Sequence, residues 1–161
     1  MSNTITIGIS DLKAAKAPDI LVTYALGSCV GICLYDKQVQ VAGLSHIMLP
    51  SSKETSGAGP LNKHKFADTA IADLLIKMAF LGASRPRIVA KIAGGAQMFA
   101  SVSGSFNIGE RNVQAVKQVL AAMHIPIVAQ ETGENFGRTL YFSAETGLME
   151  VRAATHPTKV L

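Results

Sequence analysis

Short apolar segments bounded by turn residues recur along this chain, a pattern typical of proteins built mainly from β-strands. Two stretches, 66–81 and 111–123, instead repeat apolar residues at steps of three and four, which predicts amphipathic helices. The predicted strands cover residues 4–9, 20–23, 30–35, 39–48, 87–93, 125–129, 139–142 and 148–152. A mixed β-sheet with helices packed on it buries these faces most simply, so we expect the α/β (α+β) class.

Length and composition favour a single domain over residues 1–161. Apolar residues make up 48% of the chain and charged residues 16%, which suits a packed core and not a disordered chain. The amino terminus lacks the features of a signal peptide, and no apolar run reaches the roughly 18 residues of a membrane-spanning helix. We therefore expect a soluble, cytoplasmic protein without membrane insertion.

The charge pattern argues against nucleic acid as a partner. The formal net charge is +4, but the basic residues are scattered and cluster only at 63–65 and 85–87. The chain has three Tyr, six Phe and no Trp for base stacking, and neither predicted helix carries a basic stripe. The net positive charge favours acidic partners only weakly.

Cys29 and His46 are the side chains best suited to chemistry. Cys29 stands in the run LGSCVG between two predicted strands, and His46 follows seventeen residues later. A thiol in a Gly/Ser turn can lie beside free backbone N–H groups, and an imidazole can carry its proton, as acyl transfer requires. In this hypothesis the oxyanion or substrate contacts come from Gly27 and Ser28. The alternative is structural, with Cys29 a small buried hydrophobe and His46 a hydrogen-bonded strand residue.

A third group is expected to orient the imidazole. Thr23 lies on the strand that enters the same turn, so its hydroxyl can bond one ring nitrogen of His46 while the other faces the thiol. Asp36 and Asp19 are rival orienters. These alternatives stay open at the level of the residues.

The spacing of potential metal ligands does not match a zinc site. Cys29, Cys33, His46 and His64 lack a close Cys pair and a matching His pair, so we expect no metal. Cys29 and Cys33 stand on one face of either a strand or a helix and are not expected to form a disulfide. Cys33 is predicted to be a core residue.

Two Gly-rich stretches remain. The sequence Gly-Gly-Ala at 94–96 follows a predicted strand but lacks the Lys-Ser/Thr end of a phosphate loop, so a tight turn is favoured. The Ser/Gly-rich stretch 50–59 predicts an exposed loop, either a plain connection or a lid.

Several blocks of sequence resemble one known family. They are LGSCV at 26–30, CLYD at 33–36, HIMLP at 46–50, FADTA at 66–70, KIAGGAQMF at 91–99 and IGERN at 108–112. In this order they resemble the CheD family of chemoreceptor glutamine deamidases, and the likeness spans nearly the whole chain. One departure is Glu134, which stands where the family often has the second residue of a Gly-Gly pair.

This resemblance implies a cysteine hydrolase with a three-layer α/β/α sandwich and a mixed β-sheet. It places the family's Cys, His and Thr at Cys29, His46 and Thr23, and it implies a catalytic likeness to the cytotoxic necrotizing factor toxins. The implied reaction converts selected glutamines of methyl-accepting chemotaxis receptors to glutamates through a thioester on Cys29, without metal or organic cofactor. Some members also hydrolyse receptor glutamyl methyl esters.

The resemblance also implies a partner. Many members bind the phosphatase CheC, so one alternative is a non-catalytic chemotaxis adaptor that works mainly by binding CheC. The presence of Cys29, His46 and Thr23 speaks against a pure binding protein. A cysteine peptidase is a weaker alternative, because nothing in the sequence identifies a peptide-binding cleft.

Overall fold

The computed structural model describes residues 2–54, 62–98 and 107–161. The strands in this described part are β1 (Thr4–Thr6), β2 (Leu12–Lys16), β3 (Ile20–Leu26), β4 (Val30–Asp36), β5 (Val41–Ile47), β6 (Val89–Gly94), β7 (Ile127–Thr132), β8 (Arg138–Ser143), β9 (Met149–Ala153) and β10 (His156–Val160). The helices are α1 (Ala67–Phe80) and α2 (Ile108–Ala122), with short 3-10 helices at Ser52–Glu54 and Arg85–Arg87. Both predicted helices and all eight predicted strands are confirmed, with shifted ends. Part of the predicted 50–59 loop lies outside the described residues.

The strands form two five-stranded sheets instead of the single sheet expected. The central sheet has the order β2-β5-β4-β6-β7, and the outer sheet has the order β1-β3-β8-β9-β10. Each sheet is mixed, because β6 and β7 are parallel in the central sheet and β1 and β3 are parallel in the outer sheet. The predicted mixed pairing is therefore confirmed.

The central sheet is buried on both faces by different partners. One core lies between this sheet and the two helices, and its side chains include Ile32, Leu34, Leu74, Val116 and Leu120. The other core lies between the two sheets, and its side chains include Leu21, Cys33, Leu44, Leu140 and Phe142. All seven residues of β4 are buried, as expected for a strand that contributes alternate side chains to both cores.

The α/β class is confirmed, and the layer order is α/β/β where the resemblance implied α/β/α. Helices α1 and α2 pack against each other on the same face of the central sheet. Strand β8 alternates buried and half-buried residues, which gives the outer sheet one apolar face. This face covers the side of the central sheet that a second helical layer would have covered. Neither helix in the described residues has the length and apolar character needed to cross a bilayer.

Helix α2 begins in close contact with the segment that follows β6. The Asn107 side chain accepts a hydrogen bond from the Glu110 N–H at 3.2 Å and so caps the helix. Gly109 is needed next, since a Cβ there would lie 2.4 Å from the Ala96 carbonyl oxygen. This contact brings the first turns of α2 beside the loop that precedes β4.

Candidate active site

His46 lies at the interface of the two sheets and is fully buried. It pairs with Gly31 across the β4–β5 ladder. Leu44, two residues earlier on β5, belongs to the core between the sheets, and side chains alternate along a strand. The imidazole therefore faces the outer sheet.

Thr23 approaches His46 from β3 of that outer sheet. Its Oγ1 lies 2.7 Å from His46 Nδ1 and 2.7 Å from the carbonyl oxygen of Ile7. A carbonyl can only accept, so the hydroxyl hydrogen is donated to Ile7, and the hydroxyl oxygen accepts the N–H of Nδ1. This arrangement selects the imidazole tautomer that carries its hydrogen on Nδ1.

The other ring nitrogen of His46 is left as a base. Nε2 is buried and has no hydrogen-bond partner within the described parts of the chain. Burial lowers the pKa of His46 from 6.5 to about 4, because the charged imidazolium would lose its hydration. At neutral pH the ring is uncharged and Nε2 keeps its basic lone pair, as a general base requires.

Cys29 stands directly before β4 and is half-buried. It packs against the core between the two sheets, which is the side of the central sheet that the His46 imidazole faces. Burial raises the pKa of the Cys29 thiol, and its own backbone N–H partly offsets this by stabilising the thiolate. The resting thiol is therefore protonated at neutral pH.

Three consecutive carbonyls at residues 27–29 all accept hydrogen bonds from the surrounding protein. The donors, in the order of the carbonyls, are the Ala96 N–H at 2.8 Å, Asn112 Nδ2 at 2.9 Å and the Gly95 N–H at 2.8 Å. The loop that carries the thiol is thus held at every residue. This rigidity is what a nucleophile loop with backbone donors needs.

The N–H groups of the same loop differ in their availability. The Gly27 N–H already donates to the Ala25 carbonyl at 3.1 Å. In a trans peptide the N–H points opposite to the carbonyl, so the inward carbonyl of Ser28 directs the Cys29 N–H toward the thiol side of the loop. Gly27 and Ser28 were the two residues predicted to contact the oxyanion. Ser28 is the better candidate of the two, because the Gly27 N–H is already bonded.

No turn lies at 94–96, so the predicted tight turn is wrong. Gly94 is the last residue of β6, and the N–H groups of Gly95 and Ala96 donate to the Cys29 and Gly27 carbonyls of this loop. Gly94 and Gly95 have φ values of +109° and +68°, in the region that favours glycine. A Cβ on Gly94 would lie 2.3 Å from the carbonyl oxygen of Cys29. The pair is therefore a close-packed support for the thiol loop.

Comparisons with known proteins identify the family. The model of the family described as CheD chemotactic sensory transduction matches residues 48–153. The chain is 50% identical to the probable chemoreceptor glutamine deamidase CheD of Caldanaerobacter subterraneus subsp. tengcongensis, over 99% of each chain. It is 46% identical to the protein of the same name from Syntrophomonas wolfei subsp. wolfei, over the full length of both. The chain belongs to the CheD family.

The family model and the CheD relatives cover different parts of the chain. The segment matched by the family model begins after Thr23, Cys29 and His46. The similarity to the relatives spans almost the entire chain and therefore includes these three positions. The family resemblance read from the sequence is confirmed.

The rival orienters of the CheD chain lie elsewhere. Asp36 is at the opposite end of β4 from Cys29, where its carboxylate accepts from Arg87 Nε at 3.0 Å and from the Ser84 N–H at 2.8 Å. Asp19 accepts from the Asn3 N–H at 3.1 Å. Of the three candidates, Thr23 is the one that bonds to His46.

The cysteines and histidines considered as zinc ligands do not form a cluster among the described residues. Cys33 is fully buried in the core between the sheets, as predicted, and burial raises its pKa well above the usual range. Both cysteines are free thiols. His64 lies 2.6 Å from Asp73 on α1. Within the described residues no three His, Cys, Asp or Glu side chains are grouped as metal ligands.

Asn112 is a site residue that the sequence analysis missed. It is fully buried on α2, and its Nδ2 donates to the carbonyls of Ser28 and Met48, each at 2.9 Å. A polar residue on the apolar face of the predicted helix, four residues before Val116, was the available signal. The amide would have stood out as a buried polar group in need of partners.

Proposed function

We propose that this CheD-family protein is a cysteine-dependent hydrolase that deamidates selected glutamine side chains of methyl-accepting chemotaxis receptors. The hydrogen bond from His46 Nδ1 to Thr23 carries the proposal, because it leaves a basic Nε2 on the sheet face that Cys29 shares. The substrate class is supported by the relatives, which are named probable chemoreceptor glutamine deamidases.

The first half of the proposed reaction forms a thioester. His46 Nε2 takes the thiol proton while Cys29 Sγ attacks the carboxamide carbon of glutamine, which produces a tetrahedral oxyanion. The backbone N–H groups of Ser28 and Cys29 are the proposed donors to this oxyanion. His46 then gives its proton to the nitrogen. The C–N bond breaks, ammonia leaves, and a glutamyl thioester remains on Cys29.

The second half hydrolyses the thioester. Nε2 of His46 accepts a proton from water as the water oxygen attacks the thioester carbon. The C–S bond then breaks, and the proton returns to the sulfur of Cys29. The product is a glutamate side chain, so each turnover adds one negative charge to the receptor. A glutamyl methyl ester is a substrate for the same steps, with methanol in place of ammonia as the leaving group.

The ionisation states decide when the proton moves. The pKa of Cys29 is raised and that of His46 is lowered, both by burial, so the neutral pair is the resting state. Thr23 carries no charge that would stabilise an imidazolium at rest, as an aspartate would. We therefore propose that proton transfer accompanies attack on the substrate and does not precede it.

The test is mass spectrometry of a glutamine-containing receptor fragment after incubation with the protein. The wild type is expected to convert glutamine to glutamate, while Cys29→Ala and His46→Ala leave the fragment unchanged. The matched control is Cys33→Ala, which removes the other thiol of the same strand face and is expected to remain active. Cleavage of the fragment would identify a peptidase, and binding without a mass change would identify an adaptor. CheC binding and a cytoplasmic location stay predictions.

A further inference from the structure

Asn112 joins the two segments that carry the candidate nucleophile and base. Its Nδ2 donates to the Ser28 carbonyl, directly before Cys29, and to the Met48 carbonyl, two residues after His46. These partners are 84 and 64 residues away in sequence. Both bonds go to residues outside α2, so the Asn112 side chain links segments that are distant in sequence.

This link begins where the sheet ends. The last residue pair of the β4–β5 ladder is Val30 with Ile47. Ser28 and Met48 lie beyond this pair, and the backbone there has left the ladder, since the Met48 N–H donates to the Lys65 carbonyl at 2.9 Å. Asn112 supplies the next connection between the strands, in the position of a missing ladder bond.

The orientation of the Asn112 amide follows from its partners. Both partners are carbonyl oxygens, so the side-chain NH2 faces them and uses both of its hydrogens. The Oδ1 atom is buried and has no hydrogen-bond partner among the described residues. An apolar side chain would avoid that unpaired acceptor, so filling the core does not explain an asparagine at this position.

The bond to Ser28 has a consequence for the peptide that follows. The Ser28 carbonyl and the Cys29 N–H belong to one planar trans peptide and point in opposite directions. When Asn112 holds the carbonyl inward, the N–H is directed to the side of the thiol. The carbonyls of Gly27 and Cys29 are held by backbone N–H groups, so among the described residues Asn112 provides the one side-chain bond to the three carbonyls of this loop.

We propose that Asn112 is a positioning residue that aims the Cys29 N–H at the reacting sulfur and oxyanion and fixes the thiol loop relative to the strand of His46. This inference rests on the proposed function of Cys29 and His46. It adds a residue that touches neither the substrate nor the sulfur and acts through the Ser28–Cys29 peptide.

The experiment compares Asn112→Asp and Asn112→Ala with Asn107→Ala. Aspartate keeps the volume of asparagine, but its carboxylate cannot donate to two carbonyls. Asn107→Ala removes the N-cap of the same helix without touching the thiol loop, so it is the control for loss of stability. Each variant is assayed for kcat and KM on the receptor fragment, for the pH dependence of Cys29 alkylation by iodoacetamide, and for its thermal unfolding midpoint.

Both Asn112 variants are expected to lower kcat by about 10- to 100-fold with KM changed by less than about threefold, as for a misaligned oxyanion donor. The alkylation profile is expected to move to higher pH, because the Cys29 N–H no longer stabilises the thiolate. Asn107→Ala is expected to lower the unfolding midpoint while keeping kcat and the alkylation profile.

Two results would overturn the inference. One is a kcat within about twofold of wild type in both Asn112 variants, because this loss is much smaller than the loss expected for an oxyanion donor. The other is a fall in activity that follows only the folded fraction, with an unchanged alkylation profile. If Asn112→Asp does not fold, Asn112→Ala decides. Activity retained by Cys29→Ala in the same assay would instead refute the proposed function, whatever the Asn112 variants show.

Discussion

Thr23 and His46 belong to different sheets, yet a hydrogen bond of 2.7 Å joins Thr23 Oγ1 to His46 Nδ1. The candidate base is therefore oriented across the packing interface of the sandwich. Thr23 is itself oriented by the Ile7 carbonyl, which lies beside β1 at the edge of the outer sheet. The geometry of the site depends on how the two sheets pack.

The Thr23 hydroxyl can be tested by a conservative series. Thr23→Val keeps the β-branched shape but removes the oxygen that accepts from Nδ1, so we expect kcat to fall roughly ten- to a thousandfold. Thr23→Ser keeps the hydroxyl and is expected to recover most of the activity. Steady-state kinetics on a receptor fragment provides the measurement. A Thr23→Val protein as active as wild type would reduce the site to Cys29 and His46.

The pH dependence of kcat/KM reports the state of the base. Because burial lowers the pKa of His46 to about 4, the acid limb of the profile is expected near that value and not near 6.5. Activity is therefore expected to stay nearly constant between neutral pH and about pH 5. A limb near 6.5 would mean that the imidazole is hydrated in the free enzyme.

The same pKa predicts a loss of stability in acid. The unfolded chain binds a proton on His46 below its usual pKa of 6.5, whereas the folded protein does so only near 4. The contribution of neutral His46 to the free energy of unfolding is complete above pH 6.5. About 3 kcal/mol of it is lost as the pH falls toward 4. Urea unfolding of wild type and His46→Asn across this range isolates the effect, since other acid-sensitive groups are common to both. The prediction would be contradicted if the free energy of unfolding depended on pH equally in the two proteins.

Gly94 offers a test of the support beneath the thiol loop. In Gly94→Ala, the new Cβ would meet the Cys29 carbonyl oxygen at 2.3 Å, so the loop must shift and kcat is expected to fall by at least about tenfold. Gly82→Ala is the matched control, because Gly82 has a similar φ of +99° and nothing within 4 Å of the added atom. Each variant is expected to lose about 1–3 kcal/mol of stability. Equal kinetic effects would show that backbone strain alone is responsible.

The two cysteines are expected to behave differently. Cys33 is fully buried between the sheets, so Cys33→Ala should lower the free energy of unfolding by about 1 kcal/mol and leave kcat unchanged. Cys29 is half-buried, and Cys29→Ala should fold normally without activity. Chemical denaturation and the deamidation assay, run on both variants, separate the two roles. Inactivity of a stable Cys33→Ala protein would show that the nucleophile has been assigned to the wrong thiol.

Local sequence patterns predicted the helices and most strands, and they failed where tertiary pairing decides the structure. Strand β2 contains Lys13, Ala14, Ala15 and Lys16, which have low strand propensity, and it exists through its pairing with β5. Strand β10 is exposed along its whole length and contains Pro157, so it shows no alternation. The number of sheets was also beyond reach, because periodicity does not state which strands pair.

The candidate site was predictable in its residue types and not in its supporting contacts. Cys29 and His46 were predicted because thiol and imidazole chemistry is recognisable in a sequence, and their catalytic roles stay predictions. The acceptor of the Thr23 hydroxyl is the backbone of Ile7, and a carbonyl has no sequence signature. The hydrogen-bond partners of Asn112 are 84 and 64 residues away along the chain. A single sequence carries no information about contacts at such separations.

The uncharged hydroxyl of Thr23 has a consequence for the chemical durability of the protein. Oxidants and alkylating agents attack the thiolate, and the group bonded to His46 Nδ1 is an uncharged hydroxyl, which does not favour an ion pair at rest as a carboxylate would. Burial raises the pKa of Cys29, so the sulfur is a protonated thiol when no substrate is bound. We therefore expect Cys29 to react slowly with peroxide in the absence of substrate and, if it is the proposed nucleophile, to become reactive when a substrate amide lies against it.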